Sequence, residues 1–377
     1  MAGVLEGLRI IEFAGIGPAP FCGMMLADHG AEVIRIDRKG GGFQVPHTVL
    51  FRGRRPITVD LKEPEGVEFV SRLCERADGL IEGFRPGVME RLGLGPEELM
   101  SRNDRLIYGR LTGWGQEGPL ADRAGHDINY LSIAGALHTV GRHGERPVPP
   151  VNYVADFGGG GMLLAFGMVS ALLAVARGGK GQVVDAAMVD GTALMLAMNW
   201  GLMAADMWRD ERGCNLIDGG SHFYDTYETA DAKFVAIGPV EPQFYAELLE
   251  KLDLADDPDL ARQMDPGTWE AGRRKLADVF KTKPRAYWEE LFAGSDACLS
   301  PVLSMKEAAA HPHNVARGTY VEVDDLVQPD AAPRFSNTPA DKLDSRPVRP
   351  DDKDALVLEA GYSQAEVEDM RQSGIIA

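Results

Sequence analysis

Short apolar blocks recur through the first half of the chain at the length of buried strands. Leu8–Phe13 (LRIIEF) leads through Ala14-Gly15-Ile16-Gly17-Pro18-Ala19-Pro20 into an Ala/Met/Leu-rich helical stretch ending near Gly30, and Ala31–Asp37 (AEVIRID) is strand-like again. This β-loop-α-β order predicts the opening of a doubly wound α/β domain. Further strands are expected at Ile57–Leu61, Gly79–Glu82, Leu106–Leu111 and Gln182–Ala187, with helices between several of them, such as Gly66–Arg76. Gly161–Ala176 is the most apolar run, yet it is short for a membrane span and full of Gly and Ala, so it reads as a buried helix.

The pattern changes near residue 190. Residues 191–212 are Met/Trp/Ala-rich and look helical; Tyr224–Ile237 reads as two short strands joined at Ala230-Asp231-Ala232. Helices are expected at Pro242–Leu252, Thr268–Phe280 and Arg285–Ala293, which together predict a smaller α+β domain. Beyond about residue 312 the chain becomes Pro-rich and extended, notably Pro333–Pro339, with a last helix over Ser363–Gln372.

Composition narrows the function classes. With 377 residues, 45% hydrophobic and 25% charged, the chain has the profile of an ordinary globular protein large enough for two domains. A net charge of -18 argues against a nucleic-acid-binding or anionic-membrane surface. Cys22, Cys74, Cys214 and Cys298 are scattered without a CxxC pair or a histidine at ligand spacing, so neither a disulfide framework nor a metal site is expected, and a reducing cytoplasm fits. The opening residues carry no basic segment followed by an apolar one, so no secretory signal is expected.

Charge is nevertheless uneven. Between Arg35 and Lys62 seven basic residues (Arg35, Arg38, Lys39, Arg52, Arg54, Arg55, Lys62) face two acids (Asp37, Asp60), a local excess of five, and Arg85 and Arg91 extend it. Several stand at strand C-termini, where α/β folds bind ligands, and would suit phosphates such as those of an acyl-CoA. A solvated basic face would read the same way. The first loop also invites a dinucleotide reading through Gly15, Gly17 and Asp37, but the third glycine is missing and Pro18 and Pro20 remove amide donors.

Two boundaries carry candidate proton-transfer groups. Gly125-His126-Asp127-Ile128-Asn129-Tyr130 sets a histidine where a helix is expected to begin, so that helix amides, including that of Asp127, could meet a developing oxyanion. Asp156 precedes Gly158–Gly161, small residues that could let a substrate approach the backbone, although Asp is also a favoured N-cap. Glu241, in Gly238-Pro239-Val240-Glu241-Pro242-Gln243, is either a partner for His126 or simply an acid at a helix start.

The combination resembles a known family. Leu8–Glu12 with Ala14–Pro18, Leu26-Ala27-Asp28, Ala31–Arg38, Val59–Lys62, Phe84-Arg85-Pro86-Gly87 and Leu111–Gln116 are similar to the class III CoA-transferase superfamily. Within it, Gly125–Tyr130 and Gly238–Phe244 resemble the alpha-methylacyl-CoA racemase branch, and the likeness runs from Met1 to about Pro339. The resemblance implies a Rossmann-like large domain over 1–188, completed by 326–377, with a linker helix at 189–222, a small α+β domain at 223–311 and a return linker at 312–325. It also implies an obligate, interlocked homodimer in which Glu241 meets His126 across subunits.

By position, the resemblance implies CoA contacts at Arg38, Val59, Asp60, Leu61, Lys62, Gly83, Phe84, Arg85 and Arg91. It implies thioester contacts at Gly125, Asp127, Ile128, Asn129 and Tyr130, and catalysis by His126, Asp156 and Glu241. The implied reaction is inversion at C2 of a 2-methylacyl-CoA by two bases, with no cofactor beyond the CoA of the substrate. The competing expectation within the superfamily is a CoA-transferase with Asp156 as nucleophile. A third, of another class, is a catalytically silent acyl-CoA-binding protein.

Overall fold

The computed structural model describes residues 3–40, 49–341, 343 and 353–377. Two compact units emerge, one of Met1–Ala134, Val151–Met195 and His313–Ala377, the other of Gly135–Pro150 and Leu196–Pro312.

The first unit is built on six parallel strands: β1 (Arg9–Phe13), β2 (Glu32–Arg38), β3 (Arg54–Val59), β4 (Gly79–Glu82), β5 (Ile107–Thr112) and β6 (Val183–Ala187). Their order is β3-β2-β1-β4-β5-β6, so the winding reverses between β1 and β4. Strands β4 and β5 are buried along their whole length, as a parallel sheet covered on both faces requires. Helices α1 (Pro18–Asp28), α2 (Pro64–Cys74), α3 (Val88–Arg91), α4 (Pro96–Arg102), α5 (Asp127–Ala134), α6 (Leu163–Ala176) and α7 (Met188–Met195) belong to the same unit. Helix α2 shows how the sequence selects this packing: Phe69, Val70 and Leu73 enter the core while Glu68 and Arg72 pair on the outside at 3.0 Å.

Helix α6 corrects the expectation of a buried helix. It continues a π-helical segment, Tyr153–Met162, and only one face enters the core, through Leu164, Met168 and Val175. Met162, Phe166, Val169 and Leu173, at helical spacing, form an exposed apolar stripe in which Phe166 is 73% exposed. The run Tyr153–Ala176 is, among the described residues, long and apolar enough to cross a membrane, and half of it is buried.

In the second unit, helix α8 (Ala197–Ala204) is followed by β7 (Asp225–Glu228), β8 (Phe234–Ile237), α9 (Pro242–Lys251), α10 (Trp269–Phe280), α11 (Arg285–Leu291), β9 (Leu299–Pro301) and α12 (Met305–Ala310). The strands form an antiparallel sheet in the order β7-β8-β9, and Phe223, Val235, Leu248, Leu260, Leu276 and Phe280 fill its core. The helical reading of 191–212 is cut short: the chain breaks at Leu196, and after Ala204 the left-handed Asp206 (φ 56°) prevents continuation.

His222 is fully buried in this core. The Tyr245 hydroxyl must donate to the Leu260 carbonyl (3.0 Å), which can only accept, so His222 Nε2 carries the proton shared with Tyr245 (2.7 Å). Its bare Nδ1 lies against Gly272 without a partner. Burial, aided by Arg273, pushes the imidazole down to about 4. A folded pKa below the unfolded value near 6.5 means that the unfolded chain protonates first. The contribution is therefore complete above about 6.5 and is lost as pH falls towards 4, amounting to about 3 kcal/mol. Thermal melts between pH 7 and pH 4.5 are expected to show this loss, and His222→Gln is expected to flatten it; an equally steep profile in the variant would remove His222 as its source.

The expected extended tail is also corrected. Helix α13 (Pro312–Arg317) and a hairpin of β10 (Tyr320–Val323) and β11 (Leu326–Pro329) come before the extended Pro-rich stretch, and α14 (Lys353–Glu359) precedes α15 (Gln364–Gln372). Leu356, Val357, Val367, Met370, Ile375 and Ile376 complete the core of the first unit. The C-terminus then pairs with the end of β3, where Thr58 and Ala377 exchange backbone bonds at 3.2 and 3.0 Å.

Candidate active site

A cavity of about 1250 Å³ opens at the C-terminal ends of β1, β2, β4 and β5, beside the point where the strand order reverses. Arg38, Leu61, Gly83, Phe84, Arg85, Gly125, His126, Tyr130 and Asp156 all line it, drawn from five separate stretches of chain. The remaining expected binding residues do not. Val59 is core, the Asp60 amide donates to Ile375 O at 2.8 Å, and the Lys62 amide donates to the Asp60 carboxylate at 3.1 Å. Arg91, Asp127, Ile128 and Asn129 also lie outside the lining. Glu241 belongs to the second unit, where it is exposed, precedes α9 and makes no side-chain cap bond.

The local basic excess is largely structural. Arg52 pairs with Asp28, Arg54 with the fully buried Glu12, Arg55 with Glu32 and Glu359, and Arg35 with Asp37 while stacking 3.7 Å over Phe51. A count over sequence cannot see these partners, because most lie on neighbouring strands or helices. Arg38 and Arg85 in the cavity, joined by Arg123, have no ion-pair partner among the described residues.

Helix α5 begins where expected, directly after His126, and its first turn fixes that residue. The His126 amide donates to Asn129 Oδ1 at 3.0 Å, the Asn129 amide returns a bond to His126 O at 2.8 Å, and the Tyr130 hydroxyl donates to Gly125 O at 2.5 Å. Gly125 and Gly113 both abut the Tyr130 ring, with no room for a Cβ at either. Tyr130 is thus a strut within the lining, its phenol pushed up to about 12 by burial first.

Asp156 is not an N-cap; it lies inside the first turn of the π-helical segment, whose N-cap position is Asn152. Asn152 Nδ2 donates to Asp156 Oδ2 at 3.2 Å. Burial raises the Asp156 carboxyl above its ordinary range; the Asn152 bond and His126 oppose that rise, and the charge of Asp127 adds to it. Asn152 also lines the cavity and went unnoticed in the sequence, although its spacing of four residues from Asp156 is the one a shared helical turn produces.

The four glycines after Asp156 do not admit substrate. A Cβ at Gly159 would lie 2.8 Å from Thr192 N, one at Gly161 would lie 2.8 Å from Pro18 O, and one at Gly191 would collide with Gly159 O. They let the π-helical segment press against α1 and α7, and that contact holds Asp156 at the cavity edge. In the second unit, His143, Glu211 and Cys214 bring one ligand atom each within 4.8 Å of one another, a grouping that linear spacing does not signal.

The profile of CoA-transferase family III matches residues 5–352. The chain belongs to that family. This family III chain is 46% identical over 375 residues to alpha-methylacyl-CoA racemase of Mus musculus, covering 99% of the chain and 97% of the relative. It is 45% identical over 374 residues to the protein of the same name in Homo sapiens, covering 99% and 97%. Among solved structures, a CAIB/BAIF family protein from Brucella suis superposes with a TM-score of 0.79 at 27% identity, over 96% of this chain and all of that one.

Proposed function

We propose that this family III protein is an alpha-methylacyl-CoA racemase, inverting C2 of 2-methylacyl-CoA thioesters. The observation that carries the reading is the pair His126 and Asp156, an imidazole and a carboxylate from separate segments lining one cavity at the strand ends. Arg38, Arg85 and Arg123 supply cations for the CoA phosphates. The α-hydrogen of a thioester is weakly acidic, so its removal needs a base and a stabilised enolate. Helix α5 starts directly after His126, and the positive end of its dipole favours the negative charge that develops beside that residue.

In one direction His126 takes the α-proton, the C–H electron pair moves into the enolate, and Asp156 returns a proton to the opposite face; the roles exchange in reverse. A carboxyl whose pKa burial raises is a better donor near neutrality than an ordinary aspartic acid. The scheme requires no group beyond this chain's residues and the substrate. The working form is a homodimer in which Glu241 of the partner subunit orients His126. The exposed stripe of Met162, Phe166, Val169 and Leu173 supports such an assembly, because a second chain would remove it from water. The same apolar area would be covered in a water-soluble enzyme of a reducing compartment.

Incubation of one enantiomer of a 2-methylacyl-CoA in D₂O tests the function. Inversion accompanied by deuterium at C2 is expected. Neither exchange nor inversion across several chain lengths would sink the racemase reading, and an acyl adduct on Asp156 would replace it with CoA transfer.

A further inference from the structure

Asp127 is the first residue of α5 and is 5% exposed. A carboxylate at a helix start commonly turns back to cap its own first-turn amides. This one reaches outwards: its Oδ2 accepts from the amides of both Ala155 and Asp156, each at 2.9 Å. Among the described hydrogen bonds, these are the side-chain bonds that join the His126 segment to the Asp156 segment. Its Oδ1 is buried without a hydrogen-bond partner. Burying a half-satisfied carboxylate costs free energy, and Ser or Asn would begin the helix without that cost.

What the arrangement produces is a short, stiff path between two side chains that face the same cavity. His126 is joined covalently to Asp127, and the Asp127 side chain grips the amide of Asp156. Each end is fixed in turn: Asn129 brackets the His126 backbone at 3.0 and 2.8 Å, and Asn152 holds the Asp156 carboxylate at 3.2 Å. A two-base inversion is sensitive to this spacing. Once the α-proton has left, the second group must deliver its proton to the opposite face before the first returns one to the original face. Any slack between the bases favours return.

We propose that the Asp127 side chain is a positioning residue, a yoke that sets the separation of His126 and Asp156 so that α-proton removal is followed by inversion. The inference rests on the racemase reading. It assigns Asp127 no contact with substrate through its carboxylate. Its effect therefore falls on kcat, and on the share of exchange events that end inverted, with little change in KM.

The test compares wild type with Asp127→Ser and Asp127→Asn on one enantiomer of a 2-methylacyl-CoA in D₂O. It measures kcat, KM and the fraction of deuterated molecules that carry the inverted configuration. Serine still begins a helix but is too short to reach the two amides. Asparagine keeps an oxygen that can accept from both. Asp127→Ser is expected to lower kcat by about 100-fold, the scale on which a small misplacement of reacting groups acts, and to lower the inverted fraction. Asp127→Asn is expected to restore most of that fraction. Inverted fractions equal to wild type in both variants would overturn the yoke. So would a kcat loss in Asp127→Ser that matches only its loss of folded protein by circular dichroism. A wild-type protein that neither exchanges nor inverts would overturn the racemase reading itself, so the two failures are distinct.

Discussion

Replacing His126 or Asp156 with Ala is expected to slow inversion at C2 by about 10²–10⁴-fold, the usual contribution of one positioned acid or base, with acyl-CoA affinity largely kept. In the proposed scheme each inversion uses both groups, one to remove a proton and one to deliver it, so either loss slows both directions. Deuterium exchange should separate them. His126→Ala retains the group able to deprotonate the enantiomer whose hydrogen faces Asp156, and Asp156→Ala retains the opposite one. Each variant is therefore expected to exchange a single enantiomer without inverting it, followed by NMR or mass spectrometry with chiral separation. Near-normal inversion by either variant would take that residue out of the mechanism. The pH dependence has a definite sign: Asp156 acts as base only when ionised, and burial raises its pKa. The acidic limb in that direction should therefore fall at a higher pH than for an ordinary aspartate.

The second large effect concerns stability. Arg54→Leu is expected to cost about 3–5 kcal/mol, because it strands a carboxylate in the centre of the first unit. Glu12 is fully buried and Arg54 only 2% exposed at its side chain. Arg54 donates to Glu12 Oε2 at 2.9 Å, to Arg52 O at 2.8 Å and to Pro20 O at 2.5 Å, tying β1 and β3 to the first turn of α1. Burial already pushes the Glu12 carboxyl upwards even with Arg54 beside it. Without the guanidinium Glu12 would take up a proton, and the penalty should shrink as pH falls towards the ordinary carboxylate range. Glu12→Leu combined with Arg54→Leu should recover much of the loss, since replacing both ions removes the desolvation problem. Urea and thermal unfolding of the single and double variants measure this. An unperturbed midpoint in Arg54→Leu would show that the pair carries no net stability.

Local pattern was enough for the parts of this protein that depend on near neighbours. Strand β4 falls at Gly79–Glu82 as read from its apolar run, the other strands of the parallel sheet shift by up to three residues at an end, and α5 starts directly after His126. Buried parallel strands are continuous apolar blocks, and a helix start follows from the residues beside it, so both leave marks within a few positions. The pair His126 and Asp156 was legible for a similar reason, through the Gly-flanked motifs around it and their likeness to a family.

What lay beyond the sequence depended on partners distant along the chain. Basic residues counted as a ligand surface prove to be ion-pair partners of Asp28, Glu12, Glu32 and Glu359, because charge in sequence says nothing about which acid folds against it. Glycines read as room for substrate are instead contacts between helices, decided by where α1 and α7 pack. The C-terminal residues cover β3 and occupy the Asp60 amide, leaving only Leu61 of that segment at the cavity. Sequence alone thus determined the sheet and picked out His126 and Asp156, which line one cavity, because each is encoded within one or two neighbouring elements. Only the tertiary structure decided which charges were free, why Asp156 stands where it does and that Asp127 grips it, because each of these is a contact between segments that the chain brings together by folding.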